Sequence, residues 1–91
     1  MSTGGKGRAG SLESCDALVT VELGGTGIRC RLDSPVTDAY GDEMRRQIMG
    51  VAERLKITAA EVAVTDRGAV NFVLRARVEA ALRRAMAKEE G

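Results

Sequence analysis

Residues 17–23 have the sequence ALVTVEL, in which apolar side chains recur at every second position. A period of two is typical of a β-strand that buries one face and exposes the other. We therefore expect a strand here, with the rest of the fold arranged around it. The side chains on its predicted inner face are Ala17, Val19, Val21 and Leu23.

Three further segments alternate in the same way, at residues 28–33, 62–66 and 70–74. The glycine-rich sequence at 24–27 tolerates positive φ, which predicts a hairpin between the first two strands. The turn signal Asp66-Arg67-Gly68 separates the last two strands in the same manner. Together these patterns predict four strands in a mainly antiparallel sheet.

Two segments change to a helical period, and the first begins after Ser34-Pro35, where proline suits a first helical turn. The predicted order is ββαββα, an α+β two-layer sandwich with a four-stranded sheet and two helices. We expect a flexible N-terminal tail at residues 1–10 and one folded domain at residues 11–88. The apolar stripe of the first helix is Val36, Tyr40, Met44, Ile48, Val51 and Leu55, and that of the second is Leu74, Val78, Ala81, Leu82 and Ala85.

The composition argues against several classes of function. The chain has 91 residues and no histidine, so it lacks the commonest general base and the commonest metal ligand. Its two cysteines are too few for a structural zinc site and are expected to stay reduced. The 14 basic and 13 acidic residues are interleaved, which argues against nucleic-acid binding. No apolar run approaches the ~20 residues that span a bilayer, so we expect a soluble cytoplasmic protein.

A candidate site for covalent modification precedes the first strand, at residues 10–16 (GSLESCD). It places two hydroxyls, Ser11 and Ser14, and the thiol of Cys15 on what we expect to be an exposed, mobile arm. From spacing alone, a turn hydroxyl that bonds nearby backbone is the simpler interpretation of Ser14.

The two carboxylates of this segment, Glu13 and Asp16, flank Ser14 and suggest acid–base chemistry at first sight. We expect both to be exposed on a flexible segment, where nothing shifts their pKa values or excludes water. A self-contained active site is therefore not predicted.

The segment 10–16 resembles the attachment site of the citrate lyase acyl carrier protein, the gamma subunit of that complex. The resemblance continues at 36–55, which includes Gly41-Asp42, and at 66–69 followed by 74–80. One position departs from the family, because Cys15 stands where the family usually has glycine.

The resemblance implies a non-catalytic carrier whose Ser14 bears a phosphopantetheine-like arm, 2'-(5''-phosphoribosyl)-3'-dephospho-CoA, through a phosphodiester. That group carries acetyl and citryl thioesters while citrate is cleaved to oxaloacetate and acetate. The implied partners are the alpha subunit (acyl transferase), the beta subunit (citryl lyase) and a prosthetic-group transferase. Ser11 is a second candidate for attachment, and Cys15 is expected to be a bystander.

Two other functions remain open from the sequence. The carrier subunit of malonate decarboxylase uses a similar cofactor, so the same residues fit it. A small adaptor domain that binds a protein through an exposed sheet edge is the alternative from a different class.

Overall fold

The computed structural model describes residues 4–35 and 37–90, which form a sheet covered on one face by two helices. The predicted α+β class with two layers is confirmed. The predicted order ββαββα is wrong, because the described residues give βββαβα. The elements are β1 (Lys6–Gly10), β2 (Ala17–Leu23), β3 (Ile28–Asp33), α1 (Thr37–Arg54), β4 (Ala60–Asp66) and α2 (Asn71–Glu90).

The sheet is mixed, and its strand order is β1-β2-β4-β3. The β1–β2 and β2–β4 pairs are antiparallel, whereas β3 and β4 are parallel. The prediction of a mainly antiparallel sheet built from consecutive hairpins is therefore wrong. The chain β3-α1-β4 is instead a β-α-β unit, in which a helix connects two parallel neighbours.

The loop at residues 24–27 passes over the start of β4 instead of forming a tight hairpin. Ala60 lies between Leu23 of β2 and Ile28 of β3, and pairs with both. The Gly24 N–H donates to the Ala59 carbonyl at 3.0 Å, and the Ala60 N–H donates to the Gly27 carbonyl at 3.0 Å. β4 takes this central place because its alternate side chains are all buried, while those of β3 are only half-buried.

The N-terminal strand β1 corrects the prediction of a flexible tail at residues 1–10, which is wrong for Lys6–Gly10. This segment contains little to bury, and only Ala9 of it reaches the core. Gly7 makes the pairing possible by letting α2 approach closely, since a Cβ on Gly7 would lie 2.1 Å from the Ala81 carbonyl oxygen. Residues 1–3 lie outside the described residues.

The strand predicted at residues 70–74 is also wrong, because α2 begins at Asn71. The Leu74 N–H donates to the Val70 carbonyl at 3.0 Å and closes a first helical turn. A strand would bury Val70 and Phe72 together, yet both are exposed. The predicted stripe of α2 is confirmed as a buried face of Leu74, Val78, Ala81, Leu82 and Ala85.

Helix α1 is confirmed, and its stripe packs into the core through Met44, Ile48 and Val51. Val36 lies outside the described residues. Tyr40 is 60% exposed, so its predicted place on the buried stripe is wrong. Ile48 is fully buried and occupies the middle of the helix.

The two helices run side by side in the same direction. The Arg75 Nη1 donates to the Gln47 Oε1 at 2.8 Å, and further along both helices Arg54 pairs with Glu79. Both helices therefore begin at one end of the molecule, where β3 and β4 end and β2 starts. The segment that contains Ser14 lies at this end.

Candidate functional site

Ser14 lies in the loop between β1 and β2, three residues before β2 begins at Ala17. Its side chain is exposed, and its hydroxyl has no hydrogen-bond partner within residues 4–35 and 37–90. The interpretation of Ser14 as a hydroxyl that bonds nearby backbone therefore has no support in the structure. A free, exposed hydroxyl is the chemical requirement for attachment by a partner enzyme.

Ser11 differs from Ser14 because its hydroxyl takes part in the loop's own hydrogen bonds. The Ser11 Oγ donates to the Asp16 Oδ2 at 2.7 Å and accepts from the Glu13 N–H at 3.2 Å. Ser11 is also half-buried. Of the two candidate hydroxyls, only that of Ser14 is free in the described structure.

Asp16 holds the loop through a two-point contact with helix α2. The Arg77 Nε donates to Asp16 Oδ1 at 2.8 Å, and Arg77 Nη2 donates to Asp16 Oδ2 at 3.1 Å. The Ala17 N–H donates to the same Oδ1 at 2.7 Å. A guanidinium and a carboxylate favour this geometry, in which two N–H groups donate to the two carboxylate oxygens. Asp16 therefore joins the start of β2 to α2.

The same contacts hold the pKa of Asp16 well below its usual value, chiefly through the Arg77 hydrogen bonds and then through Ser11 and the Ala17 N–H. The hydrogen bonds with Asp16 in turn raise the pKa of the Arg77 guanidinium. The expectation that nothing shifts the pKa values of this segment is therefore wrong for Asp16. The sequence could not reveal this, because Arg77 is 61 residues away along the chain.

We predict that Asp16 makes stability depend on pH in the acid range. A lowered folded-state pKa means that ionised Asp16 stabilises the fold above the unfolded value of about 3.9, and that this stabilisation is lost as the pH falls toward the folded value. The difference in unfolding free energy between wild type and Asp16→Asn should therefore be largest near neutral pH and shrink below about pH 4. Urea melts from neutral pH downward measure it. Arg77→Gln should show the same trend, and a difference that stays constant through the acid range would contradict the prediction.

The Ser14 loop rests on the turn that follows β4. The Cys15 N–H donates to the Arg67 carbonyl at 2.8 Å, and the Arg67 N–H donates to the Asp16 carbonyl at 2.8 Å. These bonds continue the β2–β4 ladder by one step beyond Ala17 and Asp66. The segment is thus a loop fixed by main-chain bonds, and the prediction of a mobile arm is wrong in this respect.

The Asp66 side chain holds together the turn that follows β4. It is buried, and its Oδ1 accepts from the N–H groups of Gly68 at 3.0 Å and Ala69 at 2.9 Å. Its Oδ2 accepts from the Ser34 hydroxyl at 2.8 Å, which ties the turn to the end of β3. The sequence signalled a turn here, but it gave no sign that the turn supports Ser14.

Beside Ser14 a shallow groove of about 460 Å³ opens at the carboxyl ends of β3 and β4. Crevices at the ends of neighbouring parallel strands are common binding places in mixed and parallel sheets. Arg67 lines this groove with an exposed side chain that makes no hydrogen bond or ion pair within the described part of the chain. The other lining residues are Leu12, Asp33, Ser34, Pro35 and Asp66.

Cys15 adopts a positive φ of 67°, a conformation that favours glycine. The departure noted in the sequence thus falls on a position whose backbone favours glycine, and Lys56 is the other non-glycine residue with positive φ among those described. The thiol itself is exposed. The second cysteine, Cys30, is half-buried, and burial raises the pKa of its thiol.

We predict that Cys15→Gly raises the unfolding free energy by up to about 1 kcal/mol, because relief of the left-handed conformation exceeds the added freedom of the unfolded chain. Cys15→Val should lower it by about 1 kcal/mol or more, since a branched side chain fits this φ worst. Urea melts under reducing conditions measure both. A valine variant as stable as the glycine variant would contradict the assigned backbone conformation.

In the part of the chain that the structure describes, no group of three or more potential metal ligands occurs. Neither described helix combines the length and apolar character needed to cross a membrane.

Comparison with known proteins places the chain in a family. Residues 5–85 match the family described as "ACP: Malonate decarboxylase delta subunit (MdcD)". The chain is 38% identical over 78 residues to the citrate lyase acyl carrier protein of Weissella paramesenteroides, covering 86% of this chain and 80% of that one. The chain belongs to this acyl carrier family.

Further relatives agree with this assignment. The citrate lyase acyl carrier protein of Fusobacterium nucleatum subsp. nucleatum is 39% identical over 80 residues, covering 87% of this chain and 85% of that protein. A chain in the crystal structure of a Pseudomonas malonate decarboxylase hetero-tetramer in complex with malonate shares the fold, with a TM-score of 0.61 over 92% of this acyl carrier and 88% of that chain, at 20% identity. Proteins of this kind are non-catalytic carrier subunits, so the acyl carrier described here is not an enzyme.

Proposed function

We propose that this chain is the acyl carrier subunit of a citrate lyase complex. The observation that carries the proposal is its identity of 38% and 39%, over most of its length, with carriers named for that complex. On this proposal its partners are the alpha subunit, which transfers acyl groups, the beta subunit, which cleaves the citryl group, and a prosthetic-group transferase. The complex works in the cytoplasm.

Ser14 is the proposed attachment residue. Its support is the contrast between two hydroxyls of one loop, since Ser14 is free and exposed while Ser11 donates to Asp16. The loop is held by the Asp16–Arg77 contact and by main-chain bonds to Arg67. A fixed loop presents the hydroxyl to a transferase in one orientation, so less conformational entropy is lost on binding.

The proposed group is 2'-(5''-phosphoribosyl)-3'-dephospho-CoA, joined to Ser14 by a phosphodiester. When bound, it supplies a thiol that carries acetyl and citryl groups as thioesters. The residues around Ser14 are compatible with its first phosphate, because the exposed Arg67 guanidinium lines the adjacent groove. The chain itself contributes the ester oxygen and the position of the arm, and tethering keeps the acyl group at high effective concentration near the partner sites.

The carrier subunit of malonate decarboxylase is the second candidate. The description of the matching family and the shared fold of the Pseudomonas chain both favour it. The two functions differ in their substrate and not in the attachment chemistry. Reconstitution separates them: the loaded chain should support citrate cleavage with citrate lyase alpha and beta subunits, and should give no malonate decarboxylation with the subunits of that enzyme.

The carrier function itself is tested by the intact mass of the chain isolated from its native host. We expect the intact mass to include that of the proposed group. Peptide mapping should then place the added mass on the peptide that contains Ser14. An adaptor domain would have the unmodified mass. An unmodified chain from cells that cleave citrate would therefore contradict the proposal.

A further inference from the structure

The sheet face turned away from the helices, here called the open face, is dominated by charged side chains. It is formed by alternate residues of all four strands, most of which are exposed, whereas Leu18, Ala63 and Thr65 are half-buried. With Arg84 and Lys88 of α2 it lines a concave surface of about 1170 Å³ that has six basic and two acidic residues. The chain as a whole has a net charge of only +1, so positive charge is concentrated here.

The strand register arranges the open face in rows that cross the sheet, because residues paired between neighbouring strands lie side by side. One row balances its own charge, with two acids in the middle and a base at each edge. The next row, here called the arginine row, has an arginine at each edge and small uncharged residues between them. The first row is Lys6, Glu22, Glu61 and Arg29, and the arginine row is Arg8, Thr20, Ala63 and Arg31.

Neither arginine of the arginine row forms an ion pair with an acid whose side chain the structure describes, since no such acidic group lies within 4 Å of the Arg8 or Arg31 guanidinium. Arg84 adds to the local positive charge, and its Nη1 donates to the Arg8 carbonyl at 2.6 Å. Elsewhere on the surface, arginines such as Arg46, Arg77 and Arg83 are paired with acids. Among the side chains that the structure describes, the open face therefore holds arginines that have no acidic partner.

The geometry of the row indicates the kind of anion that fits it. Arg8 and Arg31 lie on the two edge strands, three strand spacings apart, or about 14 Å. Long guanidinium side chains at this separation can approach one ligand from both sides. Thr20 and Ala63 lie between the two arginines and carry no charge. This arrangement suits an elongated ligand with several phosphates and a planar base, since arginine both pairs with phosphate and stacks on rings.

We propose that the arginine row of the open face binds the adenosine phosphates of a coenzyme-A-like group. The group has two possible sources: the arm tethered to Ser14 or a free coenzyme. The tethered source rests on the proposed function. Thr20 follows Ser14 by six residues, at most about 20 Å of extended chain, so an arm that begins at Ser14 runs along β2 to reach the row.

The experiment is a titration of the full-length, ¹⁵N-labelled apo chain with dephospho-coenzyme A, followed by two-dimensional NMR. We expect the largest shifts at the amides of the arginine row. Arg8→Gln/Arg31→Gln should weaken binding roughly tenfold or more. The charge-matched control Arg45→Gln/Arg46→Gln on α1 should leave the affinity within about twofold, because those exposed side chains lie on the other layer of the sandwich.

Two further measurements test the role of charge and identify the source of the ligand. Glu22→Gln should tighten binding, because it removes an acid from the neighbouring row. In the holo chain, free dephospho-coenzyme A should bind at least about tenfold more weakly than in the apo chain if the tethered arm occupies the face. Equal binding to both forms identifies a free coenzyme as the source.

Three outcomes would overturn the proposal: shifts confined to other surfaces, equal weakening by the control pair, or displacement of the probe by an equal concentration of a polyglutamate peptide. The last would identify an acidic protein surface as the occupant. The apo titration does not depend on attachment at Ser14, which is read separately by intact mass. Failure of this inference and failure of the carrier function are therefore distinguishable.

Discussion

A Ser14→Ala chain gains no cofactor mass when it is expressed together with the loading enzymes, whereas the wild-type chain gains the full mass of the prosthetic group. We expect this all-or-none result because the Ser14 hydroxyl supplies the bridging oxygen, and alanine has no nucleophile to replace it. The fold should be unaffected, since the exposed hydroxyl makes no hydrogen bond to the described residues. Intact mass and peptide mapping measure the loading, and urea melts measure the stability.

Two neighbouring variants serve as controls. Ser11→Ala should still be loaded, although it loses the hydrogen bond to Asp16 and with it about 0.5–1.5 kcal/mol of stability. Cys15→Gly should be loaded as well as the wild type or faster, because glycine suits the positive φ at this position. Cofactor mass on Ser14→Ala, or an adduct that maps to Ser11 or Cys15, would refute the assignment of Ser14. A wild-type chain that a competent loading system leaves unmodified would refute the carrier function.

Ile48→Ala should lower the unfolding free energy by ~2–5 kcal/mol, the largest stability effect that we predict. Ile48 is fully buried in the middle of α1, in the same core cluster as Val19, Val62 and Leu82. Truncation removes apolar contacts and leaves a cavity that the neighbouring strands and helix cannot fill. Urea melts of the two chains at neutral pH measure the difference.

The adjacent residue offers a matched control for this change. Met49 is 47% exposed, so Met49→Ala removes a similar volume from the same helix without opening a cavity. We expect it to change stability by less than about 0.5 kcal/mol. An Ile48→Ala effect as small as that of Met49→Ala would mean that α1 does not pack on the sheet as described.

Local patterns were sufficient to predict most of the elements. The alternation at 17–23, 28–33 and 62–66 gave three strands, and the stripes that contain Ile48 and Leu82 gave two helices. These predictions succeed because a buried face imposes its period on the residues of one segment. The same reasoning failed at 70–74, where alternation over five residues was too short to exclude a helical first turn. It also missed Lys6–Gly10, which has one buried apolar side chain and owes its place to pairing with β2.

In the candidate site, too, some features were predictable from the sequence and others were not. The segment 10–16 was predicted as the attachment segment from its composition and its family resemblance, whereas the free hydroxyl of Ser14 is an observation of the structure. The contacts that fix the segment were not predictable, because Asp16 meets Arg77 across 61 positions and Asp66 meets Ser34 across 32. No local period connects such residues. The arginine row is likewise a product of strand register, since Arg8 and Arg31 are distant in sequence and separated in space by two strands.

By itself the sequence determined the strands β2, β3 and β4, the two helices and the apolar side of each, and it pointed to the loop at residues 10–16, in which Ser14 is exposed. Only the tertiary structure decided the order of the strands and the direction of β3 relative to β4. The physical reason is that burial is a property of the whole sheet: β4, with alternate side chains from Ala60 to Asp66 all buried, takes the centre, and the half-buried β3 takes an edge. The conformation of Cys15 and the support of Ser14 follow from that arrangement, because the turn after β4 comes to lie beneath the loop before β2.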